Sequence, residues 1–395
     1  MIQIIDKHNC CGCEACVQVC PKHCINFTPD NEGFSYPQVD ELLCINCGLC
    51  ENVCPVLHPY DERTPQKTYA AINKDDEMRM SSSSGGIFTL LAEKTIDDGG
   101  VVFGARFEDQ WQVVIDVAET KEAVKAFRGS KYLQARVGDS FLRCKQYLEL
   151  GRKVLFTGTP CQISALHHFL RKDYDNLLAV DFICHGVPSP LIWHRYLVEV
   201  VTVGRSAIND IQFRSKSLGW KLFSFCLDYN KDSQLVTMSS SFKENLYMKA
   251  FLKNLILRPS CHSCPAKSGK SCSDITIADF WGIEQVNPDM DDDRGTSLVL
   301  VNSEKGARAL PLDLMKFTEE NFSAAIASNS AWHKPVPAHH RREEFFQHLS
   351  AGKSILKQIA YAMRPTMRQQ LSILKHPRKL LQTLLASLSG GGGQI

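Results

Sequence analysis

Cys10-Cys11-Gly12-Cys13-Glu14-Ala15-Cys16-Val17-Gln18-Val19-Cys20-Pro21 and Cys44-Ile45-Asn46-Cys47-Gly48-Leu49-Cys50-Glu51-Asn52-Val53-Cys54-Pro55 both read C-x2-C-x2-C-x3-C-P. The second is an internal duplicate of the first. Three thiolates of such a run can wrap one [4Fe–4S] cube from a single tight loop, while the fourth lies a helical turn further on and ligates the other cube. The spacing therefore assigns Cys10, Cys13, Cys16 and Cys54 to one cluster, and Cys44, Cys47, Cys50 and Cys20 to a second. Proline after the fourth cysteine ends the short helix.

Zinc and disulfides are the alternatives. A zinc site usually pairs two C-x2-C hairpins, and the crowding of three cysteines at C-x2-C-x2-C suits a cluster better. Of 17 cysteines in 395 residues, ten fall between Cys10 and Cys54, a concentration that in a reducing compartment points to metal. Cys11 and Cys24 are surplus to the two sets and are expected as packed thiols. The runs resemble the bacterial two-cluster ferredoxin family over about residues 1–60, which implies a compact βαββαβ unit. His58 to Pro65 is polar and proline-punctuated, and reads as a linker.

Composition bounds the rest. A 44% hydrophobic and 22% charged chain of this length has enough apolar sequence for a buried core beyond the first module. No run of about 18 apolar residues spans a bilayer. Met1 to Asp6 lacks the basic region, apolar core and cleavage site of a secretory signal, so a cytoplasmic location is expected. Basic residues gather at the end: Phe345 to Ile395 carries seven Lys or Arg and no acid, which leaves 38 minus 43, or −5, for everything before it. No nucleic-acid partner is expected.

Behind the linker the chain has an α/β rhythm. Thr68–Ile72 reads as a strand, and Ser81-Ser82-Ser83-Ser84-Gly85-Gly86 precedes a helix with apolar positions at Ile87, Leu90, Leu91 and Ile96. Such a helix N-terminus either takes a phosphate or is a plain serine cap. Val101–Ala105, Lys153–Phe156 and Leu177–Ile183 read as further buried strands. The last two run into Thr157-Gly158-Thr159-Pro160-Cys161 and Cys184-His185-Gly186, placing two cysteines at the carboxyl edge of a sheet, where ligands bind in open α/β folds.

Cys261-His262-Ser263-Cys264 adds a C-x2-C knuckle, with Cys272 eight residues on, before the strand pattern of Asp274 to Gly282. Half a zinc site, a redox disulfide, or half of a third [4Fe–4S] cluster completed by Cys161 and Cys184 all fit. The third is preferred, because no second C-x2-C remains to finish a zinc ribbon. Cys272 could replace one of the four, and Cys144 and Cys226 are expected to be packed. Nothing supplies a Ser/His/Asp triad or a Walker loop in context.

Ser83-Ser84-Gly85-Gly86, Gly129-Ser130-Lys131-Tyr132, Thr157 to Gln162, Cys184-His185-Gly186, Cys261-x2-Cys264 and Asp274 to Gly282 occur in one order. Together they resemble the coenzyme F420 hydrogenase/dehydrogenase beta-subunit family over roughly residues 66–335, with an N-terminal half at 66–150 and a C-terminal half at 151–335. The resemblance implies an α/β domain holding FAD beside a [4Fe–4S] cluster. Ser84, Gly85 and Gly86 would approach the flavin or its phosphates, with Lys131, Thr157, Gly158 and Thr159 lining the same pocket and Cys161, Cys184, Cys261 and Cys264 holding the cluster. It further implies exchange of electrons with a ferredoxin or other redox protein and with a small redox substrate, F420 being one candidate.

The expected architecture is thus α+β: a ferredoxin-like module at 1–60, an α/β flavin and iron–sulfur domain at 66–335, and a basic helical tail at 336–395. In the tail, Ile355, Leu356, Ile359 and Met363, then Leu371, Leu374 and Leu380 to Leu385, suggest two helices broken at Pro365 and near Pro377. They fit either an anionic membrane or partner surface, or an appendage packed on its own body. Two functions stand side by side: a flavin-dependent iron–sulfur oxidoreductase, and an electron-relay subunit of a larger complex without turnover of its own.

Overall fold

The computed structural model describes residues 1–201, 204, 207–349 and 352–364. In the first module, β1 (Ile25–Pro29) and β2 (Ser35–Val39) form an antiparallel hairpin. Asp30 closes its turn by accepting the Glu32 and Phe34 N–H groups, and Gly33 supplies the left-handed residue at φ +84°. Helices Ala15–Val19 and Leu49–Asn52 flank the hairpin, each entered through a left-handed residue, Glu14 and Gly48, that turns the cysteine loop back on itself.

The described module is therefore αββα, without the outer strands of the expected βαββαβ. The Ile2 N–H points at the Cys50 sulfur (3.4 Å) rather than at a strand partner. The segment His58 to Pro65 is pinned rather than free. The His58 carbonyl meets His168 Nε2 at 2.7 Å, Tyr60 stacks on the His168 ring at 4.5 Å, and the Arg63 N–H reaches the Ser268 carbonyl.

The body is built on one eight-stranded sheet. Its strands are β3 (Lys67–Asn73), β4 (Val101–Phe107), β5 (Val113–Ala118), β6 (Val154–Gly158), β7 (Leu177–Phe182), β11 (Ile275–Asp279), β12 (Ser297–Val301) and β13 (Met315–Glu319), in the order β13-β3-β12-β11-β7-β6-β4-β5. The central four, β4, β6, β7 and β11, are parallel and nearly wholly apolar, as strands covered on both faces must be. Antiparallel strands close both sides. Strands from both halves of the body pair with one another, β4 with β6 and β3 with β12, so the two halves share one sheet.

A smaller sheet, β8 (Ile208–Ser215), β9 (Ser224–Lys231) and β10 (Gln234–Ser241), packs one face on helices Pro190–Val200 and Leu246–Leu252 around Trp193, Tyr247 and Phe225. The first tail helix, Ile355–Ala362, docks on the same two helices with Ile355 and Ile359 fully buried. Glu199 accepts from the Ile355 N–H and the Ser354 hydroxyl at its start, and Arg341 donates to the carbonyls of Tyr361, Ala362 and Arg364 at its end. Its apolar face is thus covered by the body. The stretch expected as a second helix, from Leu371 onward, lies outside the described residues. Among the described residues no helix is long and apolar enough to cross a membrane.

Candidate metal centre

Each cysteine loop places three sulfurs by the same local device: a left-handed turn, one turn of helix carrying the third cysteine, and the fourth cysteine just past its end. The loops face each other through their helices, and two concavities result. One is lined by Cys10, Cys13, Cys16 and Cys54, the other by Cys20, Cys44, Cys47 and Cys50. Each concavity thus gathers three cysteines of one run and the fourth of the other. Backbone N–H groups point at sulfur in the second, from Asn46 to Cys44 and from Ile2 to Cys50, both at 3.4 Å. Cys47 is exposed, whereas Cys10, Cys13, Cys16 and Cys54 are all buried.

Neither surplus cysteine is idle packing. The Cys24 sulfur lies 3.4 Å from that of Cys20 and lines the second concavity. Cys11 lines the first, and its thiol lies within interaction range of both Cys13 and Cys161.

Cys161 opens the helix Pro160–Leu170 directly after β6, and Cys184 follows β7 by two residues. Both stand on the carboxyl edge of neighbouring parallel strands. Cys261 lies in the 3-10 turn Pro259–His262, brought over that edge by an isolated pairing of Pro188 with Leu257. Its sulfur accepts the Val187 N–H at 3.4 Å. Cys161, Cys184, Cys261 and Cys264 lie within electrostatic reach of one another. Cys272 lies apart, its charged neighbours being Arg63, Asp173 and Asp61, so it is not in position to replace one of the four.

Burial pushes the Cys261 thiol up to about 12 and that of Cys264 up to about 11. Cys184 is raised by burial, and Cys161 first by its hydrogen bond to Cys11 and then by burial. Four such sulfurs become thiolates together only when a bound cation offsets their charge, so loading the group releases protons. Among the described residues no three His, Cys, Asp or Glu close on a single ion. A four-iron cube is larger than one ion and spaces its sulfurs more widely.

The seven residues expected around a flavin fall in two places. Ser83, Ser84, Gly85 and Gly86 join Gly129 to Lys131, because the Ser83 hydroxyl accepts the Ser130 N–H at 2.7 Å. Gly85 is dictated by packing: a Cβ there would stand 2.4 Å from the Ala71 carbonyl. The Ser84 hydroxyl is spent on the Thr296 carbonyl, and Lys131 Nζ on the carbonyls of Arg128 and Gly129. The other three, Thr157, Gly158 and Thr159, end β6; Thr157 donates to Phe103, and the Thr159 hydroxyl sits 3.2 Å from the Cys161 sulfur. They belong with the third cysteine group.

The sequence reading missed the cations around the first place. Arg214 is paired with Asp279 at 2.7 Å and reaches the Tyr132 hydroxyl and the Ser83 carbonyl. Lys216 is buried with Nζ on the carbonyls of Arg79, Ser84 and Arg294, each at 2.7 Å, and burial pulls its pKa down to about 7. The buried Nε atoms of Arg128 and Arg214 have no hydrogen-bond partner among the described residues. Asp279 lay inside a recognised motif and was the available signal; its partners did not.

A ferredoxin-like module packed on a mixed α/β sheet, with cysteines crowding the carboxyl edge, defines an iron–sulfur protein of the oxidoreductase class. The comparisons make this particular. Residues 68–140 match the model for the N-terminus of the coenzyme F420 hydrogenase/dehydrogenase beta subunit, residues 151–316 that for its C-terminus, and residues 9–57 that for a 4Fe-4S dicluster domain. The chain belongs to the coenzyme F420 hydrogenase/dehydrogenase beta-subunit family and carries a 4Fe-4S dicluster domain at its N-terminal end.

Among its relatives, an uncharacterized protein of Methanocaldococcus jannaschii is 25% identical over 206 residues, 44% of this chain and 56% of that protein. A subunit of the F(420)H(2) dehydrogenase of Methanosarcina mazei is 23% identical over 248 residues, 59% of this chain and 67% of that one. The chain thus spans little more than half the length of the first. Of solved structures, a chain of the F420-reducing [NiFe] hydrogenase complex from Methanosarcina barkeri superposes with a TM-score of 0.44 at 19% identity, covering 65% of this chain and 83% of that one.

Proposed function

We propose that this protein is an oxidoreductase carrying electrons through three [4Fe–4S] clusters in series, to or from a flavin-held two-electron site on the body, in a reducing, cytoplasmic setting. One observation carries the reading: Cys11 lines the first concavity and lies within interaction range of both Cys13 and Cys161, linking the buried quartet of the first module to the quartet on the sheet edge. The ligands are Cys10, Cys13, Cys16 and Cys54; Cys20, Cys44, Cys47 and Cys50; and Cys161, Cys184, Cys261 and Cys264. The exposed edge at Cys47 is where a ferredoxin or another redox protein docks.

The donor set fits the clusters, because every quartet is thiol only and backbone N–H groups already aim at sulfur. For FAD, the Nε atoms of Arg128 and Arg214, without a hydrogen-bond partner among the described residues, with Lys131 and Lys216 bonded to carbonyls, suit a diphosphate beside Ser83 and Ser84. A bound flavin supplies the exchange between two-electron and one-electron chemistry. The chain's own residues hold the phosphates, keep water from the buried sulfurs and orient Cys161 through Thr159. The substrate class is a small hydride-exchanging molecule, a deazaflavin such as F420 included.

The relative named as a dehydrogenase subunit favours a second reading, a relay inside a larger complex. Anaerobic purification followed by iron, sulfide, zinc and flavin analysis tests both. About 12 iron and 12 sulfide per chain are expected; zinc without sulfide or flavin sinks them. Turnover of reduced ferredoxin, NAD(P)H or F420 by the isolated chain then supports the enzyme, and intact cofactors without turnover support the relay.

A further inference from the structure

Arg258 is fully buried, at 0% exposure, between the first module and the sheet edge. Its Nε donates to the Cys10 carbonyl at 2.7 Å, Nη1 to Gln134 Oε1 at 3.0 Å, and Nη2 to the Ser35 carbonyl at 2.9 Å and the Cys10 sulfur at 3.4 Å. The Tyr36 ring lies under it, 4.4 Å from centroid to guanidinium carbon. Gly12 makes room: a Cβ at that position, already at φ +72°, would stand 2.8 Å from Nη1.

No carboxylate bonds this guanidinium among the described residues. Glu14 interacts with it only through space, and holds its own oxygens on the N–H groups of Val137 and Gly138 at 3.0 and 2.9 Å. Besides Glu14 and the Tyr36 hydroxyl, the groups that can answer its charge are sulfurs: Cys10, bonded directly, and Cys11, Cys161 and Cys261 through space. A buried cation costs several kcal/mol unless an opposite charge answers it. A four-thiolate [4Fe–4S] cluster is a net anion whose charge grows by one on reduction, and that growth is favoured by a hydrogen-bonded cation at its sulfur.

We propose that Arg258 is the shared counter-ion of the Cys10 and Cys161 quartets, a positioning residue that raises the reduction potential of the Cys10 cluster above that of the Cys44 cluster. Its proximity to Cys261 biases the third cluster in the same sense. The step it favours is a plain one-electron transfer: the Cys44 cluster is oxidised, the Cys10 cluster is reduced, and no proton moves or bond forms. This rests on the iron–sulfur reading above.

The test is an anaerobic, EPR-monitored redox titration of the full-length, cluster-loaded chain, with iron and sulfide counted in every sample. In Arg258→Gln the Cys10 cluster should become harder to reduce, by at least tenfold in the equilibrium for taking an electron from the Cys44 cluster, about 59 mV for a one-electron couple. Arg258→Lys should stay near the parent value. An unmoved midpoint in Arg258→Gln at full iron overturns the proposal, because a purely structural arginine would change stability and leave potentials alone. Should Arg258→Gln lose iron, the parent decides. With the Cys44 quartet removed by Cys44→Ser and Cys50→Ser, the Cys10 cluster should titrate above the Cys44 cluster measured in Cys13→Ser with Cys16→Ser. The opposite order overturns it. Absence of iron and sulfide from the parent itself overturns the underlying iron–sulfur reading, a distinct result.

Discussion

The sulfur of Cys24 lies 3.4 Å from that of Cys20, on the wall of the second cysteine-lined concavity. This leaves a spare thiol within a short rotation of a ligand position. Cys20→Ala alone should therefore keep more iron at that cluster than Cys20→Ala combined with Cys24→Ala, as measured by iron per chain and by EPR after anaerobic reconstitution. Equal loss in both variants would mean that Cys24 cannot stand in.

The four sulfurs on the sheet edge come from three separate loops, so no pair of them can hold a cube alone. Cys261→Ser with Cys264→Ser should lower iron from about 12 to about 8 per chain. Cys272→Ser should leave it unchanged, since that side chain keeps company with Arg63, Asp173 and Asp61. Unchanged iron in the double variant would remove the third cluster.

Arg214 and Asp279 form a two-pronged ion pair in which the arginine side chain is only 4% exposed. Taking away the acid strands the cation among Phe223, Trp281 and Tyr132. Asp279→Asn should cost about 3–5 kcal/mol in chemical denaturation, the range for breaking a buried pair from one side. A loss below about 1 kcal/mol would show that water reaches the guanidinium.

Asp181 is buried on β7, accepts from Ser273 and Thr276, and is pushed up to about 6 by burial. Its ordinary value is 3.8. Between those values the folded chain holds a proton that the unfolded chain has released, so this group's contribution to stability falls as pH rises through that window. Asp181→Asn should remove the fall, with a relative gain of roughly 3 kcal/mol above pH 6 if nothing else changes. Melting curves of both chains at pH 5 and pH 7.5 check it; a constant difference between them refutes the account.

Much of the fold was legible because its central strands are short, mainly apolar runs. Val101–Ala105, Lys153–Phe156 and Leu177–Ile183 all fall on observed strands, and the helix after Ser81 to Gly86 runs Ile87–Asp97. The three-stranded sheet was not legible. On β10 only Ser241 is buried, so that strand carries almost no apolar signal, and β9 alternates around a core supplied by residues distant in sequence, Trp193, Tyr196 and Tyr247 among them.

In the site, cysteine spacing is local and could be read, whereas Arg258 owes its role to Cys10, 248 positions away. The serine-glycine run illustrates the converse. Its glycine follows from the closeness of β3 and β12, a constraint that sequence cannot distinguish from a ligand loop.

The stacking of Tyr60 on His168 has a kinetic consequence. A module on a slack tether must search for its docked pose, at an effective concentration set by tether length. Here the segment between module and body is fastened along its course, so there is no encounter step between the two. On the proposed function, passage of charge from one to the other would then be first order and insensitive to protein dilution, and encounter-limited behaviour would enter where a separate redox protein meets the module.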